Sequence, residues 1–302
     1  MRLVVTGREG QVVRSLVERA PEGVEVVPLG RPDLDLAGPA ERIIAVIEAA
    51  QPDVIVSAAA YTQVDKAETE SELAFAVNES GARATARAAH LLAVPLLHLS
   101  TDYVFDGTKS APYVEEDPTG PTGVYGASKL AGEQAVLAEH PDSVVLRTAW
   151  VYSPFGSNFL KTMLRLADSR DEIGVVADQR GNPSSALDIA DAIFAIAANL
   201  HRSESQGQRG IFHMAGTGDA SWAEFAEAIF AGSAEMDGPK AQVRRIAAAA
   251  YSTPAKRPAN SRLDCAKLAQ RHGVRLPRWE ASMKEVLARL LSQAAPEGAI
   301  TE

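Results

Sequence analysis

Short apolar runs alternate along the chain with longer segments rich in Ala, Leu and Glu. The runs predict strands at residues 2–6, 24–29, 54–58, 95–100, 144–148 and 174–177. The segments between them have helical patterns, for example at 40–50 and 71–92. Regular alternation of strands with helices is typical of a parallel sheet covered by helices on both faces. The sequence therefore predicts an α/β fold with a doubly wound parallel sheet.

A glycine-rich turn joins the first predicted strand to a helix. Gly7 allows a tight turn, and Gly10 allows phosphates to approach the backbone at Gln11 and Val12, where a helix is predicted over 12–20. Strand, turn and helix in this order place backbone N–H groups where they receive a pyrophosphate, as in the Rossmann fold. The third position of the glycine pattern is Val13, so an ordinary strand-to-helix turn stays open as an alternative.

The alternation becomes less regular after residue 150, which predicts a smaller C-terminal lobe. We expect a dinucleotide-binding core in residues 1–150 and mainly a substrate-binding lobe in 151–302, with about 155–200 packing back on the core. The elements assigned to the lobe are a strand at 211–214 and helices at 222–230 and 283–291. The elements expected to pack on the core are at 155–170 and 183–200.

Tyr125 and Lys129 are four residues apart, at the start of a segment, 126–140, that Tyr125 directly precedes and whose composition favours a helix. That spacing puts both side chains on one helix face. A phenol has an unperturbed pKa of about 10, and a nearby ammonium favours the phenolate and lowers this pKa. Tyr125 is then able to donate a proton to a carbonyl oxygen as hydride reaches the carbon. A chance Tyr-x-x-x-Lys on a solvated helix is the alternative.

A third motif begins as a buried strand and becomes polar at its end, over residues 96–107. Open α/β sheets bind their ligands at the carboxyl ends of the strands. Thr101 is therefore placed to hydrogen-bond a substrate carbonyl. Together with the glycine-rich turn and the Tyr125/Lys129 pair, it indicates a nicotinamide-dependent reductase.

These motifs, in this order, resemble the extended short-chain dehydrogenase/reductase superfamily. Within it, further segments resemble the dTDP-4-dehydrorhamnose reductase family: 59–68, 100–107, 124–126, 147–152 and 257–261. The resemblance runs from residue 1 to about 290. It implies reduction by NADPH of the C4 ketone of dTDP-4-dehydro-L-rhamnose to dTDP-L-rhamnose, in nucleotide-sugar biosynthesis. Thr101 would bind the carbonyl, Tyr125 would donate the proton, and Lys129 would also bond the nicotinamide ribose.

Two other functions remain open on the sequence. Another nucleotide-sugar ketoreductase or epimerase would share the same catalytic residues. A non-catalytic relative in the family binds NADP and serves as the regulatory subunit of methionine adenosyltransferase. Retention of Thr101, Tyr125 and Lys129 together favours an enzyme.

Cofactor preference is predicted from the segment after the second strand. An arginine suits a 2′-phosphate, whereas a carboxylate suits the 2′-hydroxyl of NAD. Arg31 therefore indicates NADPH, while Asp33 and Asp35 keep NADH open and an exposed turn residue is the alternative for Arg31. The resemblance implies further cofactor contacts at Asp35, Leu36, Ala58, Ala59 and Ala60.

Substrate residues are assigned by the resemblance rather than by spacing. Arg257, next to Lys256, would approach the nucleotide diphosphate, or would be structural. Asn78 resembles an asparagine that supports the active-site helices, with an ordinary surface amide as the alternative. The resemblance implies a sugar site formed by Thr62, Val64, Thr101, Asp102, Tyr103, Tyr125 and Trp150.

Composition limits the remaining possibilities. With 302 residues, 46% of them hydrophobic, the chain is long enough for one large core with a lobe attached. A net charge of −9 argues against nucleic acid as a partner. Since no apolar stretch is long enough to span a bilayer and no signal pattern opens the chain, we expect a cytoplasmic protein without a membrane partner. The single cysteine, Cys265, excludes an intramolecular disulfide.

Metal binding is the point at which this sequence departs from some members of the family. In certain bacterial members a magnesium ion bridges two subunits through glutamates, one of them five residues past the second glycine. Here that position is Ser15, after Arg14, and Glu18 lies almost one turn further on. Because Mg²⁺ prefers carboxylate oxygens, we expect catalysis without a metal, in a monomer or a metal-independent homodimer.

Overall fold

The fold is described from a computed structural model, which covers residues 1–202 and 205–294. The strands are β1 (Arg2–Thr6), β2 (Glu25–Leu29), β3 (Val54–Ser57), β4 (Leu96–Thr101), β5 (Ser143–Thr148), β6 (Val151–Tyr152), β7 (Glu172–Val176), β8 (Arg180–Gly181), β9 (Ser184–Ser185), β10 (Gly210–His213), β11 (Ala220–Ser221) and β12 (Gln242–Ile246).

The α-helices are α1 (Gln11–Glu18), α2 (Ala40–Ala49), α3 (Val64–Ala67), α4 (Ser71–Phe75), α5 (Ala82–Leu92), α6 (Val124–Glu139), α7 (Phe159–Ala167), α8 (Ala186–Arg202), α9 (Trp222–Ala234), α10 (Ala266–His272) and α11 (Trp279–Ala294). A π-helical turn, Ala76–Gly81, joins α4 to α5. The predicted helix at 71–92 is therefore continuous but changes its hydrogen-bonding pattern in the middle.

Six strands form one parallel sheet in the order β10-β5-β4-β3-β1-β2. The chain moves outward from β1 to β2, then returns to β3 on the other side of β1 and continues toward β5. The direction of winding thus reverses between β1 and β3, where such sheets open a crevice for ligands. The predicted doubly wound parallel sheet is confirmed.

Two strands have partners that differ from the prediction. The run near 211–214, expected in the C-terminal lobe, forms β10 and pairs with β5 at the edge of the main sheet. The run near 174–177, expected among the sheet strands, forms β7 and pairs with β12 in a separate two-stranded sheet. A short apolar run indicates a strand but carries no information about its distant partner, so tertiary packing decides.

Helices cover both faces of the main sheet. Helices α1 and α8 pack together over one hydrophobic core, which includes Leu16 and Ile193. Helices α2, α5 and α6 pack over the other, which includes Ile47 and Val136. Both cores are apolar on the inner helix faces, as expected for helices half-exposed to water.

A third core lies in the C-terminal lobe. Helices α7, α9 and α11 meet β7 there around Phe225 and Met283. The segment 155–170 was expected to pack on the first domain, but α7 within it packs on α9 in the lobe. The segment 183–200, in contrast, contains α8, which packs on α1 against the main sheet.

On composition, little regular structure is expected at residues 203–208 and 294–302. Of these, residues 203–204 and 295–302 lie outside the described residues, and Gln206–Gln208 form a short 3-10 turn. Within the described ranges, no helix is both long and apolar enough to cross a membrane.

Candidate active site

A cavity of about 640 Å³ opens at the carboxyl ends of β1, β3, β4 and β5. It brings together most of the predicted site residues, although they come from separate parts of the chain. These are Gly7, Gly10, Gln11, Val12, Ala58, Ala59, Ala60, Thr62, Val64, Thr101, Asp102, Tyr103, Tyr125, Lys129 and Trp150. The lining does not include Arg31, Asp35, Leu36 or Arg257.

The glycine-rich turn forms one wall of this cavity. Gly7 has a φ of +104°, a conformation that residues with a side chain rarely adopt. A Cβ atom on Gly7 would also lie 3.2 Å from the Val13 side chain. Val13 therefore takes the third position of the pattern as a buried packing residue beneath the turn. Gly10 caps α1, and the first turn of that helix has no acidic residue. The first turn of α1 thus places no carboxylate against an anion, and the acidic residue of this wall is Glu9, just before Gly10.

Thr6, at the end of β1, connects the turn to the other side of the crevice. Its buried hydroxyl accepts hydrogen bonds from the N–H groups of Ala58 and Ala59, both at 3.0 Å. This contact fixes the small residues after β3 against the glycine-rich turn. Thr6 was not predicted as a site residue, because a threonine at a strand end has no distinctive pattern.

The three predicted catalytic side chains converge in the cavity. The Thr101 hydroxyl donates to Asp102 Oδ1 at 3.0 Å and accepts from the Tyr103 N–H at 3.2 Å. It is also hydrogen-bonded to the Tyr125 phenol. Lys129, one helical turn after Tyr125 on α6, donates from Nζ to the Leu99 carbonyl at 2.7 Å. A carbonyl-binding hydroxyl, a phenol and an ammonium therefore share one site.

The pKa of Tyr125 shifts in the direction opposite to that expected. Loss of water around the ring raises this pKa to about 12, and the charge of Asp102 adds to the rise, while the hydrogen bond with Thr101 opposes it. From the sequence, the Lys129 ammonium was expected to be the main influence on this pKa and to lower it. The desolvation that decides the direction depends on tertiary packing. The phenol consequently keeps its proton at neutral pH, which is the form required of a proton donor.

Asn78 supports this arrangement from below. Its buried side chain accepts from the Tyr61 N–H at 2.8 Å and donates to the Tyr61 carbonyl at 3.1 Å and to Ser128 Oγ at 3.0 Å. A Cβ atom on Gly132 would lie 2.1 Å from the Asn78 carbonyl oxygen, so only glycine lets α6 approach so closely. The predicted supporting position of Asn78 is confirmed by these contacts.

Two stacked tryptophans form the wall that faces the C-terminal lobe. The rings of Trp150 and Trp222 are 3.5 Å apart and nearly parallel, with an interplanar angle of 4°. Both line the cavity, and Phe159 packs on Trp222 at 4.6 Å. Trp222 was not predicted as a site residue, since no local sequence pattern connects it to Trp150. A local pattern does predict that Trp222 begins a helix. Ser221 is the N-cap of α9, and with Glu224, three residues later, it forms a capping box.

The Gln11 side chain ties the core to the segment that enters the lobe. Its Oε1 atom accepts from Ser153 Oγ at 2.8 Å and from Asn158 Nδ2 at 2.9 Å. The loop between these two residues includes Gly156 and Ser157, which line the cavity. Gln11 therefore has a structural contact in addition to the backbone role predicted for it.

The residues predicted to read the adenosine end lie apart from the cavity. Arg31 and Asp35 are exposed after β2, whereas Leu36 is buried in the core beside Gly81. Arg8, in the glycine-rich turn, pairs with Asp33 at 2.5 Å. Two guanidinium groups thus lie near the end of β2, where the sequence predicted one.

Arg257 is held at the rim by a carboxylate. Its Nη2 atom lies 2.8 Å from Asp65 Oδ2, and its positive charge opposes the rise that burial causes in the pKa of the Tyr103 phenol. Its Nη1 atom is buried without a hydrogen-bond partner. Lys256, its neighbour, is exposed. The loop that carries Arg257 is therefore fastened to α3, next to Val64 of the cavity.

The helix position at which some relatives carry a metal ligand is occupied differently here. Ser15 is buried, and its hydroxyl donates to the Gln11 carbonyl at 2.8 Å. The Glu18 carboxylate accepts two hydrogen bonds from Arg289 of α11, which lower the pKa of Glu18. Both carboxylate oxygens of Glu18 are thus engaged by the Arg289 guanidinium.

Comparison with known proteins places this fold and site in a family. The sequence profile of the RmlD substrate binding domain matches residues 1–292. The chain belongs to this family, that of the dTDP-4-dehydrorhamnose reductases. A dTDP-4-dehydrorhamnose reductase from Sinorhizobium fredii is 54% identical over 291 residues, covering 96% of this chain and 98% of the relative.

Two solved structures of such reductases are similar throughout. The one from Clostridium acetobutylicum has a TM-score of 0.89 and 34% identity, over 96% of this chain and all of the other. The one from Bacillus anthracis, in complex with NADP, has a TM-score of 0.87 and 35% identity, over 95% of this chain and 99% of the other. The likeness thus includes both the sheet and the C-terminal lobe.

Proposed function

We propose that this protein reduces the C4 ketone of dTDP-4-dehydro-L-rhamnose to dTDP-L-rhamnose with NADPH, in dTDP-rhamnose biosynthesis. The observation that carries the proposal is the convergence of Thr101, Tyr125 and Lys129 in one cavity with the glycine-rich turn. The family membership, and relatives named for this activity, support the same substrate. A non-catalytic NADP-binding role would not require all three catalytic groups to meet.

The cavity fits a dinucleotide at the glycine-rich turn. Gly7 makes the turn that brings the N-terminus of α1 to the cavity, and Gly10 adds no side chain there. Backbone N–H groups at such a terminus bind phosphate. The small residues Ala58 to Ala60 leave room beside them. When bound, NADPH supplies the hydride.

The protein's own groups supply the proton and orient the ketone. Tyr125 holds a proton at neutral pH and would give it to the C4 oxygen, as a general acid. Thr101, hydrogen-bonded to Tyr125, would bind the same oxygen and align it. Lys129 would place a positive charge beside the phenolate that forms. Each of these groups lies on an ordered strand end or helix, so their spacing is fixed before substrate binds.

The remaining contacts of the substrate follow from the walls of the cavity. We assign the sugar to Thr62, Val64, Asp102, Tyr103 and Trp150, with Trp222 behind Trp150. We assign the diphosphate to Arg257, whose guanidinium is paired with Asp65 on α3, next to Val64 of the cavity. We further propose that the chain divides into a cofactor-binding core and a substrate-binding lobe, and that the protein is cytoplasmic.

The direct test is an absorbance assay. Purified protein is mixed with NADPH and dTDP-4-dehydrorhamnose, and oxidation is followed at the nicotinamide band. We expect NADPH consumption that depends on the sugar nucleotide, with dTDP-rhamnose as product. Matched reactions with other 4-keto nucleotide sugars test the alternative substrate class. Preference for one of those would replace the proposed substrate, and no turnover with any of them would overturn the enzymatic function.

Arg31→Ala is expected to weaken NADPH binding and to leave NADH nearly unchanged. The guanidinium should face the 2′-phosphate, and a hydrogen bond to a charged group contributes about 1.5–3 kcal/mol. Fluorescence titration of both cofactors measures the change. Arg42→Ala, which removes an exposed arginine from α2, is the matched control for net charge. Equal losses for NADPH and NADH would assign Arg31 to loop support and leave Arg8 as the remaining guanidinium near the phosphate.

Removal of divalent metal is expected to leave activity and assembly unchanged. Hydride transfer needs no metal here, because Thr101 and Tyr125 bind the ketone oxygen, and Arg289 engages the Glu18 carboxylate. Sedimentation and turnover with and without EDTA measure both properties. A dimer that dissociates in EDTA, or activity restored by magnesium alone, would contradict the assignment of Ser15 and Glu18.

A further inference from the structure

A buried ion pair lies beneath the proposed catalytic residues. Glu133 on α6 and Arg147 on β5 are only 1% and 2% exposed. The Arg147 guanidinium donates from Nη2 to Oε2 at 2.7 Å and from Nε to Oε1 and Oε2 at 3.0 and 3.2 Å. The Ser100 hydroxyl, at the end of β4, also donates to Oε1. The carboxylate is thus held rigidly between two strands and a helix.

This carboxylate lies one helical turn beyond Lys129. Side chains four residues apart on a helix are neighbours, about 5–6 Å between Cβ atoms. Lys129 is itself 2% exposed, and its hydrogen bond to the Leu99 carbonyl supplies no compensating charge. A buried ammonium is unfavourable unless a negative charge is near. Glu133 is placed to supply that charge.

The neighbouring titratable groups discussed next do not balance the positive charge of Lys129. Burial and the charge of Lys129 hold the pKa of His98 well below its ordinary value, so His98 is neutral. Tyr125 keeps its proton because its pKa is raised. Asp102, which follows β4, acts on Tyr125 and has a pKa raised to about 6 by burial. Arg147 carries a positive charge and is bound by Glu133.

We propose that Glu133 is a positioning residue for the reaction, whose charge keeps the Lys129 ammonium protonated inside the protein while Arg147 and Ser100 fix the carboxylate in place. The proposal deepens the proposed function and rests on it for the role of Lys129 in turnover. Burial lowers the pKa of Lys129 to about 8, and Glu133 opposes that shift. Without Glu133 the amine would lose its proton within the neutral range.

The first experiment measures the ionisation of Lys129 without cofactor or substrate. Trace acetic anhydride labels unprotonated amines, and mass spectrometry follows the labelling of Lys129 against pH. In Glu133→Gln the labelling midpoint should move down by on the order of 1 pH unit, because a nearby negative charge is lost. The alkaline limb of the kcat profile should move down by a similar amount, since the ammonium is lost at lower pH.

A double variant separates charge balance from a merely structural role. Glu133→Gln leaves Arg147 unpaired and is prone to misfold, whereas Glu133→Gln with Arg147→Met removes both charges. Neutral replacement of a buried pair is often tolerated. We expect the double variant to fold and its labelling midpoint still to lie below that of the wild type.

The control is Glu139→Gln, which removes a carboxylate from the far end of the same helix, where it pairs with Arg87 at 3.0 Å. Its labelling midpoint should match the wild type. A folded double variant with the wild-type midpoint would overturn the proposal. Labelling requires no turnover, so it tests the role of Glu133 separately from the proposed function. If the midpoint shifts but the wild-type protein is inactive on the sugar nucleotide, the proposed function is refuted and the effect of Glu133 on Lys129 stands.

Discussion

Tyr125→Phe is expected to lower kcat by on the order of 10²- to 10⁴-fold, the usual contribution of general acid catalysis. The substitution removes the hydroxyl that supplies the proton and keeps the ring, which packs edge to face on Tyr103 at 5.6 Å. The affinity for NADPH should remain close to that of the wild type, since Lys129 and the glycine-rich turn are unchanged. Stopped-flow turnover and fluorescence titration measure the two quantities separately.

The matched control is Tyr103→Phe, because it removes a second phenol from the same cavity. Burial raises the pKa of Tyr103 above its ordinary range, and the contact of Tyr103 with Thr101 is made by its backbone N–H, which the substitution leaves in place. We expect this variant to raise KM and to keep most of kcat. Near-normal turnover in Tyr125→Phe, or an equal loss of kcat in both variants, would rule out Tyr125 as the specific proton donor.

Arg147→Met is expected to lower the free energy of unfolding by about 3–5 kcal/mol, the typical effect of leaving one charge of a buried pair uncompensated. Methionine keeps an apolar stem where the guanidinium now lies 5.0 Å from the Phe105 ring. The buried Glu133 carboxylate would then lose its hydrogen bonds from Arg147 and keep the one from the Ser100 hydroxyl. Urea denaturation followed by circular dichroism measures the loss.

Two further variants define what that loss means. Glu133→Gln combined with Arg147→Met should recover most of the stability, since no unpaired charge remains. Arg87→Met on α5 breaks a partly exposed pair with Glu139, which lies on α6 like Glu133, and should change stability by no more than about 1 kcal/mol. If Arg147→Met proved as stable as Arg87→Met, the pair would contribute no more than a surface contact.

Much of the catalytic centre was predictable because its spacing is local. A helix repeats every 3.6 residues, so Tyr125 and Lys129 had to share a face once the helix, Val124–Glu139, included both. Thr101 ends a strand that is buried along its whole length, and Thr148 ends the neighbouring strand in register with it. Parallel strands bring such ends to one edge, and the cavity lies there.

Other residues of the site depend on contacts that no local pattern encodes. Trp222 stacks on Trp150 although 72 positions separate them in the sequence. Gln11, at the start of α1, accepts a hydrogen bond from Asn158, which precedes α7 and is 147 positions away. Such pairs form because the whole chain packs in one way, and many other partners were compatible with the same residues.

The sequence by itself determined the alternating elements, the glycine-rich turn, the shared face of Tyr125 and Lys129, and the family. Only the tertiary structure decided that β10 joins the main sheet and that β7 leaves it. It also decided the direction of the Tyr125 pKa, which follows from how much water packing removes from the phenol. Periodicity acts over a few residues and can be read along the chain, whereas burial and charge pairing depend on which distant segments meet.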